Sequence, residues 1–242
     1  MRLTDHPWPD VEASSTDLAL LPVGSTEQHG PHAPLGTDAL TAEAVADAGA
    51  AATDREVVVA PTIPVGVAEE HRGFAGTLWV SEDTFRRYVR EVVESLAHHG
   101  FDRVVVVNGH GGNVAALRET CARVTRDGTA YAVAFTWFDG VSSDLPMGHG
   151  GARETALLRH VAPDLVREDR VEAARAEGAD RWGEWVSGVN LAYDSASFTE
   201  NGVVGDPGAG TAADGEELLD DAAAALSTLL DSVADRPVGG DE

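Results

Sequence analysis

Apolar residues along this chain fall into two kinds of pattern, short continuous runs and longer stretches in which they recur every three or four positions. The continuous runs cover residues 18–23, 56–60, 103–107 and 129–135, and Gly, Pro, Asn or a charged residue bounds each of them. Runs of this length with such boundaries predict buried strands, and strands buried on both faces are typical of a largely parallel sheet.

Helical periodicity separates these runs. The clearest example extends from Ser81 to His99, where Phe85 and Val89 fall on one face, Ser81 is a suitable N-cap and Gly100 ends the pattern. Further helices are predicted over Ala42–Ala52, Val114–Arg126 and Arg153–His160 and after Thr211. The alternation of strands and helices predicts an α/β sandwich with helices on both faces of the sheet.

The length of 242 residues suits one domain, since open α/β folds often reach this size. We therefore predict a single domain over residues 1–242, with a frayed Gly- and acid-rich tail over residues 236–242. Residues 171–210 show no clear periodicity, although Trp182 and Tyr193 lie there among polar residues and glycines.

Acidic residues outnumber basic ones by 41 to 17, which gives a net charge of −24, and every basic residue is an arginine. Such a charge repels itself in dilute buffer, whereas at molar salt the Debye length falls to about 3 Å and the repulsion is screened. We therefore expect a halophilic protein from a salt-rich cytoplasm. The absence of lysine excludes a Walker-type phosphate loop and Schiff-base or pyridoxal chemistry.

The chain carries no feature of a secreted, membrane or nucleic-acid-binding protein. Its apolar runs are far shorter than the roughly 20 residues that cross a bilayer. The N-terminus lacks the apolar stretch of a signal peptide, and no basic stripe is present to bind nucleic acid. Cys121 is the one cysteine, so an internal disulfide is impossible. We expect a cytoplasmic protein that binds neither nucleic acid nor membrane.

Three segments rich in His, acidic residues and Gly carry the candidate chemistry. GSTEQHGPHAPLGTD (residues 24–38) follows the first strand, NGHGGN (residues 108–113) follows the third strand, and GHGGARET (residues 148–155) opens a helix. Ligands of open α/β sheets bind outside the carboxyl ends of the strands. The first two segments are therefore expected to converge at that edge.

Imidazole and carboxylate side chains are ligands that Zn, Mn, Fe and Co accept alike. We predict a metal site built from Glu27, His29, Asp38, His110 and Glu154. Glu27 and His29 are two residues apart and share one side of an extended segment, and Asp38 suits a carboxylate that bridges two cations. Taken singly, NGHGGN could be a turn or an anion-binding nest and GSTEQHGPH a capped turn, but the combination favours a metal.

Two other classes of protein compete with a metalloenzyme. A non-catalytic metal-binding protein would use the same ligands with no coordination position open to water. A nucleotide-binding module would use the Gly-rich loop after residues 103–107, but that loop lacks G-x-G-x-x-G in register.

The segments LPVGSTEQHGPHAPLGTD, VNGHGGN and GHGGARETALL resemble the three signature segments of the creatininase family. EHRGFAGT (residues 70–77) and NGVVGDPGAGT (residues 201–211) extend the similarity over most of the chain. The resemblance implies a three-layer α/β/α fold with a mostly parallel sheet, two divalent metal ions (Zn, Mn or Fe) and a homo-oligomer, usually a hexamer.

The family pattern also implies the ligands of each cation. One cation would be held by Glu27, Asp38 and His110. The other would be held by His29, a further glutamate and Asp38, which the two sets share. Creatininases supply that glutamate two residues after the His of the second segment, where this chain has Gly112, so Glu154 is the available replacement. The tyrosine that follows the same His in creatininases is Gly111 here.

Further side chains have roles that the resemblance implies. His149 would carry a proton to the leaving nitrogen, since imidazole titrates near neutral pH. His32 and His71 are candidates for contact with the substrate or with the metal ligands. Leu145 stands where creatininases carry an aromatic that encloses creatinine, and Trp137 could match another aromatic of that pocket.

The expected reaction is hydrolysis of a C–N amide bond in a small amide or peptide. The closest motif pattern is that of the mycofactocin-associated peptidase branch, which trims a C-terminal dipeptide from a modified precursor peptide. Hydrolysis of creatinine itself is disfavoured by Gly111, Gly112 and Leu145. Creatinine and a formamide of the formamidopyrimidine type stay open as alternative substrates.

We predict that salt stabilises the protein, because screening relieves the repulsion among its acidic residues. The midpoint of thermal unfolding should rise when KCl is increased from about 0.1 M to about 1 M. A midpoint that stays constant or falls over this range would contradict the expectation of a halophilic protein.

Overall fold

The computed structural model describes residues 1–239 and has a four-stranded parallel sheet at its centre. Its strands, in the order β2-β1-β3-β4, are β1 (Leu18–Val23), β2 (Val58–Val59), β3 (Arg103–Asn108) and β4 (Tyr131–Thr136). Leu18 is in register with Arg103, and Arg103 with Tyr131. Each strand lies in one of the apolar runs, so the parallel sheet is confirmed, although β2 keeps only the centre of the run 56–60.

Helices occupy the connections between strands and the C-terminal part of the chain. They are α1 (Trp8–Glu12), α2 (Thr37–Ala52), α3 (Glu82–His98), α4 (Val114–Arg126), α5 (Ala152–Val161), α6 (Val171–Ala176) and α7 (Ala212–Ala234). The Ser81 side chain caps α3 by accepting from the Thr84 N–H, and Thr211 caps α7 through a reciprocal pair with Asp214. Along residues 1–239, no helix combines the length and the apolarity needed to cross a bilayer.

The sheet lies between two helical layers because its central strands are apolar on both faces. Successive side chains of a strand point to opposite faces. In β1, Ala19 and Leu21 therefore pack in a core with α3 and α4, whereas Leu18 and Leu20 pack in a second core with α2, α5 and α7. This arrangement confirms the three-layer α/β/α sandwich.

One helix begins earlier than its pattern predicted. α2 begins at Thr37 and not at Ala42, because its first two residues, Thr37 and Asp38, are polar and give no apolar signal. Asp38 therefore lies in the first turn of a helix, where the helix dipole favours a carboxylate. At the other end of the chain, residues 236–239 form no helix or strand, and the rest of the predicted tail, residues 240–242, lies outside the described residues.

Residues 171–210, which lack periodicity, contain α6 and a two-stranded hairpin of β5 (Trp185–Val186) and β6 (Val189–Asn190). The turn residues Ser187 and Gly188 have φ values of 49° and 82°, the conformation that a tight two-residue hairpin requires. Strands of two residues are too short to produce a periodic signal, so the sequence pattern does not reveal them.

Two glycines allow the first turn of α2 to lie directly against the ends of β1 and β3. An added Cβ at Gly24 would collide with the Ala39 backbone, and one at Gly109 would collide with the Asp38 carbonyl. The Gly109 N–H also donates to the Val23 carbonyl at 3.0 Å. Since these neighbours are backbone atoms, a side chain at either position would displace α2 and the Asp38 carboxylate with it.

We expect Gly109→Ala to lower the free energy of unfolding by about 1–3 kcal/mol, the usual cost of forcing an extra methyl into a packed site. The loss should appear as a lower midpoint of urea unfolding with an unchanged m-value. Gly36→Ala is the matched control, because Gly36 has a φ of −88° and an added Cβ there meets nothing within 4 Å. Equal stabilities of the two variants would argue against a close contact between α2 and residue 109.

Candidate metal centre

The segments singled out in the sequence meet at the carboxyl edge of the sheet. The loop after β1 carries Glu27 and His29, α2 carries Asp38, the loop after β3 carries His110, and α5 carries Glu154. All five side chains are buried, although Asp and Glu are almost never fully buried unless they are paired. The structure thus brings the five predicted ligands into one cluster.

Asp38 stands between two imidazole rings. Its Oδ1 lies 3.0 Å from His29 Nε2, and its Oδ2 lies 3.2 Å from His110 Nδ1. Glu27 Oε1 approaches the same His110 nitrogen at 3.1 Å, and Glu154 Oε2 lies 3.9 Å from His29 Nε2. The Asp38 carboxylate therefore joins two halves of the cluster, one on the His110 side and one on the His29 side.

Several atoms that face into this cluster have no hydrogen-bond partner among residues 1–239. They are both carboxylate oxygens of Glu27, His29 Nε2 and Asp38 Oδ2. Leaving a buried polar group unpaired costs roughly 1–3 kcal/mol, and more for a charged group. Atoms of this kind that converge on one point need a shared partner, and a metal ion is such a partner.

The cluster contains enough donors for more than one metal ion. Within each of three groups of side chains, the potential ligand atoms lie within 4.8 Å of one another. The groups are Glu27 with Asp38 and His110, His29 with His149 and Glu154, and Glu27 with His71 and His149. Imidazole nitrogens and carboxylate oxygens suit Zn, Mn and Fe. The residues present therefore fit divalent cations.

Opposite charges in the cluster counteract the effect of burial. Burial disfavours ionisation of Asp38, but His29 and His110 outweigh it and hold the pKa of Asp38 well below its usual range. Burial also disfavours a protonated imidazole, yet Asp38 raises the pKa of His29 to about 10 and Glu27 raises the pKa of His110. A divalent cation bound between these groups would replace the protons as the compensating charge.

Glu154 behaves differently from Asp38. Burial raises the pKa of Glu154 to about 7, because the attraction of His29 does not offset the loss of solvent. The Gly150 N–H donates to Glu154 Oε2 at 2.6 Å. A cation bound by Glu154 would therefore compete with a proton near neutral pH.

His149 packs between two other imidazoles beside the cluster. Its ring centroid is 4.3 Å from those of both His29 and His71. Its Nε2 lies 2.6 Å from the Gln28 carbonyl, so Nε2–H donates and Nδ1 is the unprotonated nitrogen. That Nδ1 lies 3.8 Å from Glu27 Oε1. Burial holds the pKa of His149 well below its usual value, so the ring is neutral.

His71 is held by neutral partners on one side and faces a carboxylate on the other. Gln28 Nε2 donates to its Nδ1 at 2.8 Å, and Ser195 Oγ lies 3.0 Å from the same nitrogen. Its Nε2 lies 3.4 Å from Glu27 Oε1. Burial lowers the pKa of His71 to about 4. His71 thus lies against a predicted metal ligand.

His32 lies behind the cluster. Its Nε2 is 2.9 Å from Thr155 Oγ1 on α5, and burial lowers its pKa to about 4. It does not line the cavity that opens onto the cluster. This position agrees with a role for His32 in supporting the site. It does not agree with contact between His32 and a substrate in the cavity.

A cavity of about 610 Å³ opens onto the cluster. It is lined by residues that include His71, His110, His149, Glu154, Phe138 and Trp182. A volume of this size accommodates a small molecule or the end of a peptide. A larger groove of about 970 Å³ lies near Asp17 and Phe101, at the amino ends of the strands, and none of the metal-ligand groups found in residues 1–239 lies there.

Trp137 does not reach this cavity. Its side chain is 0% exposed and belongs to the core between the sheet and the helical layer of α2, α5 and α7. Phe138, whose ring centroid lies 5.6 Å from that of Trp137, lines the cavity instead. Of the two roles predicted for Trp137, contact with the substrate or support of the site, its position agrees with support, since the chain turns at the end of β4 and presents the following residue to the cavity.

The cavity residues that the sequence prediction did not include comprise Glu70 and Trp182. Glu70 directly precedes His71 within EHRGFAGT, so its place in that segment was the available signal. Burial raises the pKa of Glu70. Trp182 lies in residues 171–210, where no periodicity indicated which of the aromatic side chains points inward.

The loop after β3 departs from the creatininase pattern for a structural reason. An added Cβ at Gly111 would meet nothing within 4 Å, so the missing tyrosine leaves the cavity open. At Gly112, an added Cβ would collide with the Val67 carbonyl and lie 3.0 Å from Glu70 Oε1. The space that a glutamate at position 112 would need is thus filled by other atoms.

Comparisons of the chain with known proteins agree on one family. The family model "Creatininase", described as creatinine amidohydrolase, matches residues 4–230. The mycofactocin precursor peptide peptidase of Mycolicibacterium smegmatis is 38% identical over 211 residues, which are 85% of this chain and 81% of that protein. The creatinine amidohydrolase of Pseudomonas putida is 30% identical over 192 residues, which are 68% of this chain and 73% of that protein.

Solved structures show the same fold. A creatinine amidohydrolase (creatininase) superposes with a TM-score of 0.80 at 24% identity, covering 98% of both chains. A structure named "Creatininase Mn" superposes with a TM-score of 0.81 at 24% identity, covering 97% of this chain and 99% of that one. At these identities the likeness establishes the fold.

Proposed function

Because the chain belongs to the creatininase family of metal-dependent amidohydrolases, we propose that it hydrolyses an amide bond of a peptide at a pair of divalent cations. The enzyme class follows from the family, a metal-dependent hydrolase that acts on C–N bonds. The peptide substrate is the proposed part. Relatives named mycofactocin precursor peptide peptidases, at 34–38% identity, support it.

The observation that carries the proposal is the buried carboxylate of Asp38, which presents one oxygen to His29 at 3.0 Å and the other to His110 at 3.2 Å. We assign Glu27, Asp38 and His110 to one cation. The second cation is assigned to His29, Asp38 and Glu154. The unpartnered inward-facing atoms of this cluster support the assignment.

The proposed mechanism divides the work between the cations and the side chains. Divalent cations held by Glu27, His29, Asp38, His110 and Glu154 would lower the pKa of a bound water towards about 7 and would stabilise the negative charge that develops on the carbonyl oxygen. His149 accepts a proton at Nδ1, which faces the cluster, while its Nε2–H stays fixed on the Gln28 carbonyl. The same Nδ1 then delivers the proton to the leaving nitrogen. Gln28 positions the His71 ring, whose Nε2 lies 3.4 Å from the Glu27 carboxylate.

The shape of the cavity favours a peptide over creatinine. Gly111 leaves open the space that a tyrosine would fill. Leu145, at the position of the aromatic that encloses creatinine, is half-buried against the core and does not line the cavity. The small ring of creatinine would therefore contact few of the cavity residues, whereas the end of a peptide can fill the cavity. Formamides stay the alternative small substrate.

We propose Zn, Mn or Fe as the cations. Solved creatininases named for manganese and for a Zn–Zn form support the first two. A single domain, a homohexamer and a salt-rich cytoplasm complete the proposal, supported by the family resemblance and by the net charge of −24.

Asp38→Asn should remove both cations, because one carboxylate oxygen faces the His29 side of the cluster and the other faces the His110 side. Glu154→Gln should remove only the cation beside His29. Metal analysis by mass spectrometry, on protein purified in high salt, should give about two cations per chain for the wild type. The count should fall close to none for Asp38→Asn and close to one for Glu154→Gln. The same metal content in both variants would contradict a shared carboxylate.

His149→Ala should keep both cations and lower kcat by about 10²–10⁴-fold, the usual contribution of general acid–base catalysis. His99→Ala is the control, because His99 is an exposed imidazole beyond the end of α3. Loss of one cation would make His149 a ligand, and full activity would remove it from the mechanism.

A substrate panel tests the function itself. Metal-loaded protein in high salt is incubated with short peptides, creatinine and formamides, and the products are identified by mass spectrometry. We expect peptide cleavage that stops when a chelator removes the cations. Tight metal binding without hydrolysis of any of these compounds would favour the non-catalytic metal-binding protein.

A further inference from the structure

One wall of the cavity is made by Asp180, Arg181 and Trp182, three consecutive residues that lie outside the signature segments of the family. They connect α6 to β5 in the part of the chain that carries no periodic pattern. They bring an acid, a guanidinium and an indole to the same cavity as the metal-ligand cluster. The chemistry of these side chains therefore bears on which substrate the site accepts.

The Trp182 indole packs against the imidazoles at the reacting centre. Its ring centroid lies 5.5 Å from that of His71 and 6.0 Å from that of His149, with interplanar angles of 69° and 76°. Phe198 supports it at 5.1 Å. Edge-to-face packing of this kind is the preferred arrangement of aromatic rings. Trp182 is thus fixed next to the proposed proton carrier, where the departing part of a substrate would lie.

Arg181 brings a free positive charge to this wall. It is exposed within the cavity, and it forms no ion pair and no side-chain hydrogen bond with any residue from 1 to 239. Many arginines of this acidic chain do pair. Arg72, Arg90 and Arg159, for example, meet carboxylates at 2.7–2.9 Å. An unpaired guanidinium in a cavity is available to an anionic group of a ligand.

We propose that Arg181 binds a carboxylate on the departing part of the substrate while Trp182 supports the adjacent apolar side chain. The proposal rests on the proposed function, because it assumes that an amide bond is cut at the cluster beside this wall. It assigns the recognition of a C-terminal fragment to Arg181 and Trp182, which lie outside the signature segments.

The charges of the cavity favour a carboxylate over a phosphate. The guanidinium is a planar fork that binds a carboxylate through two parallel hydrogen bonds. Asp180 and Glu70 line the same cavity beside the one guanidinium, so each further negative charge on a ligand adds repulsion from two acidic side chains. The indole beside Arg181 adds an apolar surface, which a peptide side chain can use and a phosphate cannot.

The test compares two synthetic peptide libraries of equal mixed sequence, one with free C-terminal carboxylates and one with C-terminal amides. Holoenzyme in high salt should release fragments from the carboxylate library about tenfold to hundredfold faster, as kcat/KM, because the charged hydrogen bonds are lost with the amide. Arg181→Gln should lower kcat/KM for the carboxylate library to the level of the amide library and leave the amide library unchanged. Arg181→Lys should restore part of the preference, since an ammonium keeps the charge without the fork.

Arg123→Gln is the matched control, because Arg123 is an exposed arginine on α4 that does not line the cavity. Metal content is measured in every variant to verify the fold. Equal rates on both libraries for the wild type, or an equal loss on both in Arg181→Gln, would overturn the proposal.

If no peptide is cut at all, the proposed function fails, and a binding measurement tests the role of Arg181 separately. Calorimetry compares the binding of one peptide with a free C-terminal carboxylate and of the same peptide with a C-terminal amide. Tighter binding of the acid that disappears in Arg181→Gln supports it, and equal binding overturns it.

Discussion

The burial of three carboxylates at one point is the constraint on which the rest of the structure depends. Of 41 acidic residues, Glu27, Asp38 and Glu154 are the buried ones within residues 1–239, and all belong to one cluster. Leaving a buried charge without its partner costs about 3–5 kcal/mol, a large part of the net stability of a domain, so positive charge must accompany the ionised carboxylates. Protonated His29 and His110 provide that charge when no metal is bound, and bound divalent cations would replace those protons. The acidic residues of the chain thus divide into two groups. Three are buried in the cluster, and the others within residues 1–239 remain in contact with solvent.

The fold meets this constraint by tying separate backbone segments to one another. The Asn113 side chain donates to the Gly24 carbonyl at 3.0 Å and accepts from the Val67 N–H at 3.0 Å. It therefore joins the loops that follow β1 and β3 to a third loop that precedes His71. The first turn of α2 lies against the same strand ends, and its dipole favours the ionised form of Asp38. The predicted ligands are thus held in loops tied to the strand ends and in first turns of helices, which is what a site with short contacts requires.

The sequence predicts the layers and the cluster better than the surroundings of the site. The strands were predictable because a strand buried on both faces is a continuous apolar run, and α3 because its apolar stripe and Ser81 cap agree. The start of α2 was not, because Thr37 and Asp38 are buried by contact with strand ends and not by an apolar stripe. Trp182 was not, because its direction depends on tertiary contacts with His71 and Phe198 that leave no local signal.

The separation between catalytic segments and cavity walls limits what membership of a family says about the substrate. The predicted ligands come from the loops that directly follow β1 and β3 and from the first turns of α2 and α5, which meet at the carboxyl edge of the sheet. Phe138 and Trp182, which line the cavity, come from connections whose length and conformation vary more easily. Wall residues discriminate among substrates by contacts remote from the scissile bond, so they can change which amide binds without changing how it is cut. Two relatives of this chain, one named for a peptide and the other for creatinine, are what such a separation produces.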